Sequence, residues 1–466
     1  MEKQKRKEFS INAFVLIFII IVICAVMTWI IPAGQFDTAL DEATGRELTV
    51  PGSYHRIEAS PVGPWQLLQT LYQGFVDASD IMFFVAFAVF YIYLLTQTGA
   101  LNAVCGALMR KIGNRDQLLI PLFMILFGIA GTTFGMYEET FALLPVFVVI
   151  ALTLGYDNVV GGMMVYGGAA VGFSSAVINP FTMGLASGIA GIPMVGKEVT
   201  PLRLAAFVAF MVLTISYTMH YANKIRKDPT KSVMYGSKST INFNTASREE
   251  CMNTPFTTRQ KISVGGFVLM IAILVFGVIK LGWWFSDMAA LFFVFAVITG
   301  LINGLSVNQI ADTFVEAVKS ILGGIMIIGF ARSISLVLTA GGIIHTVVNA
   351  LATVVGTLPN ALIGVGMVVV QNIINFFIPS GSGQAMVMMP IMAPLADVVG
   401  ISREMAVVAY HFGDGFSNMF WPTAVAAQCG IMGVSLSQWY KFITKLFIMM
   451  FLLQCVFMVI GVSLGI

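Results

Sequence analysis

The chain has 466 residues, 25 of them Lys or Arg and 23 Asp or Glu, so charged residues make up 10%, against roughly 25% in an ordinary soluble domain. Hydrophobic residues reach 58% and the mean hydropathy is +0.89. A water-soluble globule cannot hide that much apolar surface, and several runs reach the roughly 20 residues that cross a bilayer as a helix. The chain therefore reads as an all-α polytopic membrane protein, which excludes soluble enzymes and nucleic-acid binders.

A net charge of +2 is too small to argue for an anionic partner. Cys24, Cys105, Cys251, Cys429 and Cys455 are an odd set without C-x-x-C spacing, and His55, His220, His345 and His411 are scattered. Neither pattern supports a disulfide framework or a zinc site. The GKE at Gly196 to Glu198 lacks the glycine and hydroxyl residue of a phosphate loop, so ATP-driven transport by this chain is not expected. No cofactor is expected, and no enzymatic activity.

In chain order, the run Ala13 to Ile31 follows a basic flank of Lys3, Lys5, Arg6 and Lys7. It is too long for a signal core and lacks small cleavage-site residues, so it reads as a retained first helix. The polar loop from Gly34 to Pro64 is acidic (Asp37, Asp41, Glu42, Glu47, Glu58, opposed by Arg46 and Arg56) and is expected outside. The basic stretch Asn223 to Lys261, with Lys224, Arg226, Lys227, Lys231, Lys238, Arg248 and Arg259, is expected in the cytoplasm with the N-terminus. Ile81 to Leu95 crosses to the basic cluster Arg110, Lys111 and Arg115. Between Arg115 and Lys224 the number of crossings must be even. The blocks Leu118 to Gly131 and Phe141 to Leu154 are short for a span and read as one re-entrant hairpin; Val159 to Ile192, interrupted, and Leu202 to Ala222 cross.

The second half repeats this plan. Ile262 to Leu281, Met288 to Ile302 and Ser320 to Leu338 cross, Pro359 to Pro379 and Gln384 to Leu395 form a second hairpin entered from outside, and Met405 to Met432, interrupted, and Phe442 to Ile466 cross. Nine full crossings and two hairpins put the C-terminus outside. The letters repeat as well. LLP at Leu143 to Pro145 with Gly155 matches MMP at Met388 to Pro390 with Gly400. Tyr166 before GFSSAVINP (Gly172 to Pro180) matches Tyr410 before GFSNMFWP (Gly415 to Pro422). Since the hairpins enter from opposite sides, the copies are inverted, as in secondary transporters with broken helices.

Irregular backbone at membrane depth is tolerated only where protein buries it or water reaches it. Four such places occur: the tips GTTFGMYEE (Gly131 to Glu139) and PSGSGQ (Pro379 to Gln384), and the breaks GFSSAVINP and GDGFSNMFWPT (Gly413 to Thr423). Each opens a half-helix whose N-terminus suits a carboxylate, and each is rich in hydroxyl, amide or glycine residues. The residues expected to bind the solute are Glu138, Glu139, Ser174, Ser175, Asn179, Ser380, Gly381, Ser382, Gly383, Gln384, Asp414, Ser417, Asn418 and Thr423. Unwound carbonyls with Ser174, Asn179, Ser417 or Asn418 can cage a Na⁺. Coupling stays open between Na⁺, protons and pure exchange. The plain alternative is that Gly and Pro merely kink these helices.

Ionisable groups in such places are expensive and usually functional. Glu138 and Glu139 suit a cationic end of a solute or a proton, the alternative being acids favoured by a helix N-terminus. Asp414 either serves the solute or locks helices through Arg332 or His411. Arg332 holds a substrate carboxylate or makes a structural pair, and His411 is a proton relay or a satisfied hydrogen bond. Trp283 and Trp284 read as an interfacial belt and Trp421 as packing or a pocket wall.

FGMYEE, GFSSAVINPF, FFIPSGSGQAMVMMPIMAPLADVVG and FGDGFSN resemble the tips and breaks of the YfcC-like family of bacterial carriers, and the likeness runs from IPAGQF to the C-terminal helix. Tyr137 stands where that family commonly has glycine. The resemblance implies kinship with ArcD-type basic amino-acid antiporters, which exchange arginine for ornithine, and more distantly with anaerobic C4-dicarboxylate carriers of the ion-transporter superfamily. It also implies a homodimer in the bacterial cytoplasmic membrane that moves a hairpin-bearing part past a fixed scaffold. On that plan residues 1–114 and 223–358 form the scaffold, 115–222 and 359–440 the moving part, and 441–466 a final helix. A basic amino acid is the expected solute, with a C4-dicarboxylate or other organic anion as the alternative. A channel or a membrane-embedded enzyme is a weaker fit, because neither needs two opposed hairpins.

Overall fold

The computed structural model describes residues 13–41, 46–236, 250, 253 and 255–466. The basic flank before the first helix, Glu42, Lys238, Arg248 and Cys251 lie outside the described residues.

The helices follow the apolar runs. In the first half they are α1 (Ala13–Ile30), α2 (Pro64–Asp77), α3 (Ser79–Gln97), α4 (Ala100–Ile112), α5 (Leu119–Phe134) and α6 (Thr140–Thr153). Next come α7 (Asn158–Gly162) and α8 (Gly168–Ser174), joined by the π-helical turn Met163–Gly167, then α9 (Leu185–Ala190) and α10 (Val199–Lys227). The second half has α11 (Thr258–Phe276), α12 (Phe285–Ile302), α13 (Val307–Ala340), α14 (Ile344–Gly356), α15 (Asn360–Phe377), α16 (Gly381–Val399), α17 (Arg403–Ser417), α18 (Pro422–Met432) and α19 (Leu436–Ser463). Among the described residues eight helices are long and apolar enough to cross a membrane, including residues 116–134 and α16, which are hairpin arms in the sequence reading. Length alone does not separate a crossing from an arm.

Three helices were not foreseen: α2, α4 and α14. Each is 13 or 14 residues, too short to register as a span, and in α2 and α4 polar positions also lower the hydropathy. The Gly34 loop is also more ordered than a plain polar loop. β1 (Gly34–Gln35) pairs antiparallel with β4 (His55–Arg56), and β2 (Thr38–Asp41) with β3 (Arg46–Thr49) in the register Thr38↔Thr49. This cap is pinned to the start of α14: Phe36 N–H donates to His345 Nδ1 at 3.2 Å, and Tyr54 Oη lies 2.9 Å from Thr346 Oγ1.

The two halves match in helix lengths. α1 and α12 have 18 residues each, α4 and α14 have 13 each, and α10 and α19 have 29 and 28. Residues 64–97, bent at Ala78, parallel the single helix α13. Packing is reciprocal: α1 lies on α13 while α12 lies on α3. α11 has no counterpart.

The hairpin arms enclose the broken helices. α5 packs chiefly on α8 and α6 on α7, and α15 packs on α17. The arms of the first hairpin meet through Phe147, whose ring lies 4.8 and 5.2 Å from those of Phe123 and Phe127. α6 is apolar all round and every residue but Leu152 is buried, which puts it in the middle of the bundle. Near its C-terminal end Arg226 grips the buried Asp116 through both nitrogens at 3.0 Å. Asp157 there accepts from Tyr221 Oη and Ser232 Oγ, both at 2.6 Å.

Glycines set the closest crossings. A Cβ on Gly324 of α13 would stand 2.7 Å from the Gly430 carbonyl carbon and oxygen of α18, so these backbones touch without side chains between them. Neighbouring Gly323 faces open space. Gly324→Leu is therefore expected to lose about 1–3 kcal/mol or more through overpacking, while Gly323→Leu stays within about 0.5 kcal/mol. Thermal unfolding of the two variants in detergent separates them.

Candidate functional site

Each break is built by helix-end chemistry. The first stops at Ser174, whose hydroxyl and that of Ser175 both donate back to Val171 O, at 3.0 and 2.6 Å. It restarts at Pro180, with Asn179 Oδ1 accepting from Phe181 N at 2.9 Å and Thr182 N at 3.4 Å. Proline at the first helical position lacks the N–H that has no partner there. The second break, residues 418–421, restarts likewise at Pro422.

The first tip turns at Gly135, whose φ of 74° suits glycine and whose added Cβ would meet Asn179 Oδ1 at 2.5 Å. Tyr137 N–H donates to Glu139 Oε2 at 3.0 Å, so Glu139 braces the tip. Glu138, next to it, is exposed. At the second tip Ser380 Oγ accepts from Gly383 N at 3.3 Å, capping α16. Ser380 is exposed, and Gly381, Ser382 and Gly383 are half-buried at the rim.

The four irregular segments meet. Thr132, in the first arm, accepts Val177 N on both its carbonyl (3.3 Å) and its hydroxyl (3.0 Å), and donates to Ser175 O at 3.2 Å. Tyr166 Oη donates to Asn418 O at 3.1 Å, so the hydroxyl of Tyr137, 2.7 Å away, donates to Tyr166. That chain links the first tip to the second break. Tyr410 Oη donates to Gly381 O, holding the second tip. The broken helices cross where Gly415 lies on the Ser174 backbone. A Cβ on Gly381 would stand 2.7 Å from Thr182 Cγ2 and 3.3 Å from Asp414 Oδ2.

Asn375 of α15 pins the second break. Its amide nitrogen reaches Asp414 O at 2.9 Å, Ser417 Oγ at 2.5 Å and Asn418 Oδ1 at 2.9 Å. Gln384 turns from the tip into its own hairpin, donating to Gln371 O and Oε1 at 2.9 and 2.7 Å. Trp421 packs as a wall, its Nε1 donating to Asn372 O at 2.6 Å.

Several buried polar atoms here have no partner: Asn179 Nδ2, Thr182 Oγ1, Asn375 Oδ1, Gln371 Nε2, Gln384 Oε1, Thr423 Oγ1 and both carboxylate oxygens of Asp414. Each costs about 1–3 kcal/mol if left so. Such a concentration, at the meeting of two tips and two breaks, is what a polar solute would satisfy. Among the described residues no three His, Cys, Asp or Glu side chains gather as a metal site.

The alternative reading of Asp414, a helix lock through Arg332 or His411, is not what the structure holds. Arg332 pairs with Asp77 across α13 and α2, with side chains 46% and 34% exposed. His411 Nδ1 donates to Phe173 O at 3.3 Å. Both partners are distant in the chain, where spacing cannot reveal them. Missed outright were Thr182, Gln371, Asn372, Asn375 and Arg203. The amides at Gln371, Asn372 and Asn375, on one side of an apolar helix, were the available signal. Arg203 is 1% exposed, donates to Met194 O at 2.7 Å and leaves Nε and Nη2 unpartnered.

Because Arg332 is engaged elsewhere, Arg332→Gln is expected to leave the half-saturation constant for transport within about twofold, since a partly exposed pair carries little energy. Asp414→Asn is expected to raise it by about tenfold or more through loss of a charged partner. Uptake kinetics in proteoliposomes measure both.

Residues 12–463 match the family model for DcuC, the C4-dicarboxylate anaerobic carrier. The chain is 29% identical over 501 residues to the Escherichia coli K12 protein named "Putative basic amino acid antiporter YfcC", covering 99% of this chain and 98% of that one. It is also 29% identical over 504 residues to an uncharacterized protein of Haemophilus influenzae, covering 99% of each. Among solved structures it resembles MtrF of Neisseria gonorrhoeae at 15% identity and a TM-score of 0.41, over 97% of this chain and 95% of that one. The chain belongs to the DcuC family: it is a multi-pass membrane transporter, not an enzyme.

Proposed function

We propose that this transporter is a secondary active carrier of an amino acid-like carboxylate, a basic amino acid exchanged in the manner of arginine for ornithine. The charge of the site carries this reading. Glu138, Glu139 and Asp414 belong to the tips and breaks, and no lysine or arginine does. Arg332, the cation nearest in expectation, is taken up by Asp77. A solute with a cationic end fits three acids, whereas a dicarboxylate would have helix N-termini and the single buried Arg203 to meet it. The name of the Escherichia coli relative points the same way. A C4-dicarboxylate or other organic anion, coupled to Na⁺ or H⁺, is the second reading, favoured by the family's description.

The working cycle we infer is an elevator. The halves are inverted copies, an idea supported by their equal helix lengths and reciprocal packing. Residues 115–222 and 359–440 move with the solute, and 1–114 and 223–358 stay fixed in a homodimer. The basic loops put the N-terminus in the cytoplasm and the C-terminus outside the bacterial inner membrane. Na⁺, if used, would be held by oxygens near Ser174, Asn179, Ser417 and Asn418, and a proton by Glu138, Asp414 or His411.

Proteoliposomes loaded with ornithine are expected to take up labelled arginine at least several-fold faster than empty ones. Absence of exchange together with succinate uptake would select the dicarboxylate reading. Replacing Na⁺ by choline at fixed pH tests coupling: unchanged uptake removes sodium.

A further inference from the structure

A helix N-terminus attracts negative charge and a bare carboxylate attracts positive charge. Here the two lie within one residue of each other. Asp414 is 0% exposed, both its carboxylate oxygens lack partners, and Oδ2 faces Gly381, the first residue of the 19-residue helix α16. Of the first-turn N–H groups of that helix, Gly383 is capped by Ser380 Oγ, and those of Gly381 and Ser382 have no partner inside the helix. On the same side of Gly381 stands Thr182, 3% exposed, with its Cγ2 toward that residue and its Oγ1 unpartnered. The Tyr410 hydroxyl fixes the Gly381 carbonyl and so the aim of the turn.

A plain cation would satisfy Asp414 and waste the helix end; a plain anion would be repelled by Asp414. A group that carries both charges on adjacent atoms satisfies the whole vertex. We infer that Asp414, Thr182 and the Gly381 turn form a subsite for the zwitterionic head of an α-amino acid. The ammonium lies on the Asp414 carboxylate, and the carboxylate lies on the α16 first turn and Thr182 Oγ1. Glu138, which is exposed and within electrostatic reach of Asp414, then faces the far end of the solute and selects a cationic side chain. This assignment rests on the reading of the carrier as one for basic amino acids and adds which end of the solute goes where. It also gives Phe173 a place, since its ring edge closes the vertex 3.3 Å from the same point on Gly381.

The test compares head-group analogues on the unmodified carrier in proteoliposomes. Arginine, agmatine (no carboxylate) and 5-guanidinovalerate (no ammonium) compete against labelled arginine. Each analogue is expected to be weaker than arginine by about tenfold or more, because one charged hydrogen-bonded group is missing. Agmatine competing as well as arginine would overturn the head-group subsite while leaving the basic-solute reading intact. Transport of succinate with no competition by arginine would remove that reading itself. Thr182→Val is expected to weaken arginine about tenfold and leave agmatine unchanged, with Thr182→Ser restoring arginine. Equal weakening of both ligands by Thr182→Val, with Thr182→Ser no better, would also overturn the subsite.

Discussion

A helix that stops inside a bilayer leaves backbone donors and acceptors that hydrocarbon cannot satisfy. Most of this structure follows from answering that requirement four times over. The first break borrows Thr132 for the amide of Val177 and the carbonyl of Ser175, and Asn179 for the restart. The second borrows Asn375, and the second tip borrows Ser380. Some of these partners lie in the same segment and others, such as Thr132 and Asn375, on a neighbouring helix, so the irregular segments are tied to one another and to the arms beside them. The polar atoms left over once the backbone is served are those in which we propose the solute sits. Site and fold are in this sense one solution to one problem.

The bare carboxylate of Asp414 is the strongest instance. In a soluble protein a buried acid usually finds an arginine or lysine; here Arg332 is held by Asp77 on another helix. Keeping an unpaired acid in the interior is costly, and the cost is recovered only when something of opposite charge arrives. The protein family's description and the local charge thus pull in different directions about the cargo. Only the second is a property of this chain's own residues.

The tips and the breaks were legible because Gly, Pro, Ser and Asn punctuate the apolar runs. The amphipathic helices α2, α4 and α14 were not, since all three are shorter than a span and polar residues dilute the hydropathy of α2 and α4. Nor were the partners of Arg332 and Asn375, which lie 255 and 39 to 43 residues away. Attention to ionisable groups also passed over Thr182 and the α15 amides, although an amide in an apolar helix is itself expensive. What spacing cannot express is which distant side chain gets there first.

The two tips differ in how they are tethered. Tyr166 and Tyr410 occupy matched places, yet one reaches its tip through the hydroxyl of Tyr137 and the other through the main-chain oxygen of Gly381. A tether to a side chain is erased by one codon at that side chain, whereas a tether to a carbonyl is lost only if the backbone turn moves. Mutational drift can therefore loosen the first tip at Tyr137 or Tyr166, and the second at Tyr410 or by crowding Gly381 against Thr182.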